Sequence, residues 1–237
     1  MGLNTITFGG INSSDYNVYA AGPGMYTKPR RKITLIDIPG RSGALAIDEG
    51  TFENYDLTFQ CVLPQTFQED FDNFCAAINA LGGYQLLEES LHPNTFRIAT
   101  FESEIQPNLT KTYKGGTFNL VFNCKPHQYL NSGLTMTPFT AAGTITNPTA
   151  YTALPNIRVY GSGTVGIGSE TITIASHSYP YIDIDCEAMD ARYQATNCNN
   201  LVSVTGSIFP TLPPGDTGVT LGGNVSNVVI QPRWRTI

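Results

Sequence analysis

The sequence predicts a mainly-β protein of two domains, with one α-helix in the first. Three observations carry this. Short segments of alternating apolar and polar residues recur along the chain, as half-buried strands require. Glycine and proline, 23 and 15 of 237 residues, separate these segments at turn spacing. One stretch alone switches to apolar spacings of three and four, the period of a helix.

The elements follow in order. Ile6, Phe8 and Ile11, then Tyr16, Val18 and Ala20, read as opening strands around Gly9-Gly10, and Gly22-Pro23-Gly24 breaks the chain. Residues 33–38 are a short strand ending in Pro39, Gly40, Arg41, Ser42 and Gly43, a glycine-bounded turn expected to project as a tight loop. Residues 55–62 alternate strictly, with Tyr55, Leu57, Phe59 and Cys61 on one face.

The helix is predicted to start at Thr66 and Glu69, which have capping-box spacing. Phe67, Phe71, Phe74, Cys75, Ile78 and Leu81 form its apolar stripe, and Gly82-Gly83 stops it. So aromatic a stripe needs a sheet to bury it. Strands resume at residues 84–87, 96–101 and 116–124, where Phe118, Leu120, Phe122 and Cys124 face one way.

From residue 130 to 155 no side chain is charged, and Thr, Ala, Pro and Gly dominate. That shift places a junction near residues 130–140 and divides the chain into domains of residues 1–135 and 136–237. Residues 144–149 open the second domain. Strands at 156–160, 170–174, 181–187, 201–204 and 228–230, set off by Gly and Pro turns, predict a sandwich.

Composition narrows the function classes. A net charge of −6 argues against a basic nucleic-acid-binding surface but leaves room for a pore whose wall does not retain DNA. Apolar runs fall short of the roughly 20 residues that span a bilayer, so no membrane partner is expected. The first residues lack a signal peptide's basic and apolar regions, and Ile6 stands where a myristoylation signal on Gly2 wants Ser or Thr. Synthesis and folding in a cytoplasm are expected. Cys61, Cys75, Cys124, Cys186 and Cys198 are odd in number and lack metal-knuckle spacing, so they read as structural thiols. The sequons at Asn12, Asn108 and Asn224 then read as chance matches.

Candidate chemistry is sparse. Gly161-Ser162-Gly163-Thr164-Val165-Gly166 fits a dinucleotide fingerprint, but a strand pattern follows where the pyrophosphate needs a helix N-terminus. It reads as a glycine-rich hairpin. Asp183, Asp185 and Glu187 alternate with Ile182, Ile184 and Cys186, which puts three carboxylates on one strand face. A cation site or an acid/base pair is conceivable there; a solvated or subunit-facing strand is the favoured reading. His92, His127 and His177 form no recognisable triad frame. Trp234 is expected to close the last strand against its domain. Residues 27–32, with Lys28, Arg30, Arg31 and Lys32, form the basic cluster, expected to meet an acidic protein surface. No catalytic residue, metal ligand or cofactor is assigned.

Three C-terminal segments carry a resemblance: Tyr181-Ile182-Asp183-Ile184-Asp185-Cys186-Glu187, Phe209-Pro210-Thr211-Leu212-Pro213-Pro214-Gly215 and Val228-Val229-Ile230-Gln231-Pro232-Arg233-Trp234. In this order the chain resembles the distal tail proteins of long-tailed bacteriophages. Phe8-Gly9-Gly10 leading to Ser14-Asp15-Tyr16, the turn from Pro39 to Gly43, and Lys125-Pro126-His127 add weaker agreement. The resemblance implies a tail-tube-like β-sandwich or split barrel with one helix, followed by a galectin-like sandwich. It implies a homo-hexameric ring at the virion tail tip that joins the tail tube protein to the tail-tip protein. The tape measure protein and DNA would pass through it, and in some relatives the outer domain docks receptor-binding proteins. Pro39, Gly40, Arg41, Ser42 and Gly43, with Lys28, Arg30 and Arg31, are the interface candidates. The rival readings are a carbohydrate-binding module for host-surface adsorption, for which Tyr160, Tyr179, Tyr181, Tyr193 and Trp234 are the available aromatics, and a cell-wall hydrolase, for which no residue set can be assembled.

Overall fold

The computed structural model describes residues 4–21, 27–64, 67–110 and 114–237. It is mainly β and divides into two compact units, Met1–Gln128 with Ile237, and Tyr129–Thr236.

In the first unit the strands are β1 (Ile6–Phe8), β2 (Ile11–Asn12), β3 (Tyr19–Ala20), β4 (Arg31–Ile36), β5 (Leu45–Phe52), β6 (Tyr55–Leu63), β7 (Gln85–Glu89), β8 (Thr95–Phe101), β9 (Asn108–Leu109) and β10 (Gly116–Leu130). The helix α1 spans Phe67–Asn79. The main sheet runs β2-β1-β7-β8-β10-β6-β3, with β9 also on β10. The long antiparallel pair of β10 with β6 sets Phe118 opposite Cys61, Leu120 opposite Phe59 and Phe122 opposite Leu57, and all six side chains are buried as their alternation predicts. Phe122 is the hub of an aromatic core, with Phe8, Phe101 and Phe59 centred 4.9, 5.3 and 5.9 Å away. Phe71 and Phe74 of α1 reach Phe118 at 5.1 and 6.2 Å, so the helix packs its stripe on the sheet. Each such ring pair adds about 0.5–1.5 kcal/mol beyond area burial.

Two expectations change. Tyr16 lies in a short 3-10 turn, Ser13–Tyr16, not a strand; Asn12 Oδ1 accepts from the Ser14 backbone and captures the chain in that turn. Cys75 stands at the rim of the helix stripe, half-buried, because one residue past buried Phe74 turns the side chain about 100° around the axis. The cap residue Thr66 and the Gly22-Pro23-Gly24 break lie outside the described residues.

In the second unit the strands are β11 (Thr137–Phe139), β12 (Gly143–Asn147), β13 (Asn156–Tyr160), β14 (Gly163–Ile167), β15 (Glu170–Ile174), β16 (Ile182–Asp185), β17 (Asp190–Tyr193), β18 (Thr196–Asn197), β19 (Val202–Val204), β20 (Gly215–Gly223), β21 (Asn227–Gln231) and β22 (Arg235–Thr236). They form two sheets, β11-β21-β13-β16-β17-β18 and β12-β20-β14-β15-β19. Ile157, Val159, Ile182, Ile184, Val228 and Ile230 from the first sheet share one core with Ile145, Val165, Ile167, Ile172, Ile174 and Val219 from the second. This is a sandwich whose inner faces are almost wholly β-branched. Trp234 is buried in the same core, and the Leu130 N–H donates to its carbonyl at 2.9 Å.

The GxGxxG segment has a packing explanation. A Cβ on Gly161 would lie 2.2 Å from the Asn224 carbonyl oxygen, and one on Gly163 would lie 2.3 Å from that of Gly222. Their φ angles of 97° and 139° also exclude ordinary side chains. These glycines let two backbones approach, and the motif runs into β14 and is followed by β15 in place of a helix.

Candidate functional site

Two surfaces stand apart from the cores. The first is the hairpin of β4 and β5. These strands pair with one another, Ile33 opposite Asp48, Thr34 opposite Ile47, Leu35 opposite Ala46 and Ile36 opposite Leu45, and among the described residues with no other strand. Every residue of β4 is exposed, and so is β5 up to Phe52. Because side chains alternate, Ile33 and Leu35 occupy one face, and Ile36, Leu45 and Ile47 the other. Apolar residues thus stand bare on both faces; Leu35 is 68% exposed. A two-stranded ribbon without a covering layer is marginal by itself, and a bare apolar patch marks an interaction site.

The root of the hairpin is fastened. The Glu53 N–H donates to the Arg30 carbonyl at 2.9 Å, and the Phe52 ring meets His127 edge-on at 6.4 Å. The basic cluster predicted from sequence lies here. Arg30 pairs with Glu53 at 2.9 Å, Arg31 with Asp48 at 2.6 Å and Lys32 with Glu49 at 2.9 Å. The Lys32 hydrogen bond lowers the Glu49 pKa, while the Gly50 N–H, then Arg31, lowers that of Asp48. These cations therefore hold the hairpin's own register. Lys28 is exposed just before it. Pro39, Gly40, Arg41, Ser42 and Gly43 form the exposed tip, where Gly40 and Gly43 turn at φ of 81° and 85° and the Arg41 N–H donates to the Ile38 carbonyl.

The second surface is the outer face of the β11-to-β18 sheet. Register sets Val229, Arg158, Asp183 and Arg192 in one row, and Gln231, Asn156, Asp185 and Asp190 in the next. Arg158 grips Asp183 side-on, Nε to Oδ1 at 2.7 Å and Nη2 to Oδ2 at 2.9 Å. Its guanidinium lies 4.0 Å over the Tyr181 ring. From Tyr181 rings extend to Tyr160 at 5.9 Å and to Tyr193 at 5.1 Å; Tyr193, 5.0 Å from Tyr179, packs with it against the sandwich core. His177 adds a ring 6.0 Å from Tyr179.

The three predicted carboxylates do not share a site. Asp183 is held by Arg158. Asp185 accepts two hydrogen bonds of 2.9 Å from Arg233 and two from the backbone of Glu187 and Ala188. Burial raises the Asp185 pKa, yet these donors outweigh it and hold it below the usual carboxylate range. Glu187 lies past the strand, in a turn, 3.8 Å from Arg233. Neither Asp183 nor Asp185 is therefore a bare solvated acid, because each is tied to a guanidinium. Among the described residues no group of three or more His, Cys, Asp or Glu could hold a metal ion. Burial drives the thiols of Cys61, Cys124 and Cys186 up to about 12 and that of Cys75 to about 11, away from thiolate chemistry. In the first unit, Glu89 takes Arg97 at 2.9 Å and His92 at 2.8 Å, and Arg97 also donates to the Tyr55 hydroxyl. This buried group ties β7 to β8 and β6.

Sequence reasoning missed three participants: Leu45 and Ile47 of β5, and Arg158. Arg158 sits between Ile157 and Val159, so its outward direction was readable, but its meeting with Asp183 and Tyr181 needed the β13–β16 register.

The solved structures agree with this architecture from end to end. The SPP1 Dit (gp 19.1) protein, described as a paradigm of hub adsorption apparatus in phages infecting Gram-positive bacteria, superposes with a TM-score of 0.72 at 12% identity over 100% of both chains. The chain has the distal tail protein fold. Chains of the phage P2 baseplate in its activated conformation, with calcium and with strontium, match at TM-scores of 0.52 and 0.50 and 10% and 9% identity, over 97% of this chain and 98% of theirs. No family model and no curated protein matches the sequence. At such identities the agreement is one of fold.

Proposed function

We propose that the chain is the structural hub of a phage tail tip. Copies close into a hexameric ring that joins the tail tube protein to the tail-tip protein and lets the tape measure protein and DNA pass. The observation that carries this reading is the end-to-end match to a hub protein together with a hairpin that bares apolar side chains on both faces. A hairpin of that kind gains stability when a neighbouring copy covers it, and a ring provides such a neighbour on each side. The hub works by positioning and is not an enzyme. Its free cysteines, four of the five buried, suit folding in the bacterial host cytoplasm before the protein joins the virion tail.

Light scattering with negative-stain imaging of the purified protein tests the reading. A six-fold ring with a central hole is expected. Leu35→Asp combined with Ile47→Asp is expected to leave a folded monomer. A chain that stays monomeric at every concentration, alone and with a tail tube protein present as template, removes the hub. Arg41→Glu tests the tip separately: unaltered rings and tail assembly would take residues 39–43 out of the interface.

A further inference from the structure

We propose that the hairpin tip of one copy docks into an acidic cleft in the second unit of a neighbouring copy, where Arg41 pairs with Glu170 and Asp216. The proposal rests on the ring reading above and names two surfaces that meet in it.

The cleft lies at one end of the sandwich. The turn from β14 to β15, the start of β20 and the segment from Ile208 to Pro213 enclose about 230 Å³. That segment holds most of the Phe209-to-Gly215 motif, so the motif gains a role as the wall of a binding place. Ile208, 65% exposed, stands there with Phe209 and Pro213 and makes the wall apolar. Glu170 and Asp216 make the cleft acidic, and among the described residues no Lys, Arg or His lines it. Asp216 Oδ1 accepts from the Thr146 hydroxyl at 2.6 Å, and Glu170 Oε1 from that of Ser169 at 3.2 Å. Neither carboxylate meets a cation among the described residues, and each keeps acceptor capacity to spare.

The hairpin tip carries the complementary set. Arg30, Arg31 and Lys32 are spent on carboxylates of the hairpin and its root. Arg41 is exposed and has no ion pair among the described residues. Ile38 and Leu45, both exposed, flank the tip with apolar surface. A guanidinium presents five donors in a planar fork and can serve two carboxylates together. The nine residues from Arg31 to Gly40 extend roughly 30 Å, about the width of a small domain. A tip on such an arm can cross a neighbouring unit while its root stays fastened at Arg30 and Glu53. Other acidic places fit less well. Glu88 and Glu89 line a hollow beside Thr5 and Thr7, but Glu89 already holds Arg97 and His92. Glu69 and Asp72 stand on α1, which offers a convex surface in place of a cleft.

The test is ring assembly by full-length charge variants, read by light scattering and negative-stain images, with the tail tube protein added wherever the parent chain needs it as template. Arg41→Glu and Glu170→Arg are each expected to raise the concentration for half-assembly at least about tenfold, at unchanged Tm. An equimolar mixture of the two is expected to recover most of that loss. Copies that alternate around a six-membered ring give every tip a cleft of opposite charge. A chain carrying both changes is expected to recover it for the same reason. If Glu170→Arg lowers the Tm, Glu170→Gln replaces it as the single variant, with a several-fold loss expected. Full assembly by both single variants overturns the proposal, and so do losses that neither the mixture nor the double variant recovers. Recovery in the double variant but not in the mixture puts the contact within one chain and overturns it as well. Any of these results with rings from the parent chain leaves the hub standing without this contact, whereas a parent that never forms rings removes both.

Discussion

The hairpin of the first unit and the tyrosine face of the second are both exposed β structure, yet they are built on opposite plans. Among the described residues no layer backs β4 and β5, which carry isoleucine and leucine into solvent on both faces. The face around Arg158 is backed by Ile157, Val159, Ile182 and Ile184, each 0% exposed, and its outer groups include the Arg158–Asp183 pair, the Tyr160 and Tyr181 rings and the amides of Asn156 and Gln231. A surface without backing cannot hold its side chains in a fixed pattern; its affinity comes from apolar area that a partner covers. A backed surface keeps its geometry while empty and can read a ligand's shape and hydrogen bonds.

Removing the backing has the largest expected effect. Ile184→Ala opens a cavity beneath the Asp183 row and is expected to cost about 2–5 kcal/mol, seen as a lower Tm of the second unit. Leu35→Ala, of similar chemistry on the unbacked hairpin, is expected to change monomer stability by less than about 0.5 kcal/mol while weakening the ring. Equal losses of monomer stability from the two variants would erase the distinction.

A middle-sized effect comes from the C-terminal clasp on the backed face. Arg233→Ala strands the half-buried Asp185 and is expected to cost about 1–3 kcal/mol, with Asp185→Asn recovering part of it in the double variant. The pH dependence follows from the lowered Asp185 pKa. A carboxylate held below its unfolded value near 3.8 contributes stability above that pH and loses it as pH falls through the lower folded value. Thermal melts from pH 6 to pH 2 should therefore show a steeper acid loss for the parent chain than for Arg233→Ala.

Much of this architecture was legible in the chain, and the gaps share a cause. Strands with one buried face announce themselves by alternation: Leu57, Phe59 and Cys61, or Phe118, Leu120 and Phe122, are read from sequence and buried in the structure. β5 gave no such signal, since Leu-Ala-Ile-Asp-Glu-Gly-Thr-Phe has no inward face to encode. β20 hid for another reason: Thr217 and Val219 are buried in alternation, but its glycines, packed against β14, interrupt the apolar pattern. The sandwich was legible, but the meeting of Tyr160, Tyr181 and Tyr193 was not, because they stand on β13, just before β16 and on β17 and meet through register. The acidic residues misled for the same reason. Alternation put three carboxylates on one face, while their partners Arg158 and Arg233 stand far along the chain.

The smallest expected effect sharpens the comparison most. Lys32 and Glu49 pair across the hairpin with 52% and 37% side-chain exposure, where water and salt screen a pair and little net stability results. Lys32→Ala should leave the Tm unchanged. What the pair does instead is select a register, since neither hairpin face is buried and a slip would otherwise cost little. Hydrogen exchange of the β4 and β5 amides is the measurement: faster exchange in Lys32→Ala at unchanged Tm, with parent and variant converging in high salt, is the expected outcome. Unchanged exchange would mean that the backbone ladder alone fixes the hairpin. The charged residues would then be there to keep an apolar ribbon soluble until a neighbouring copy covers it.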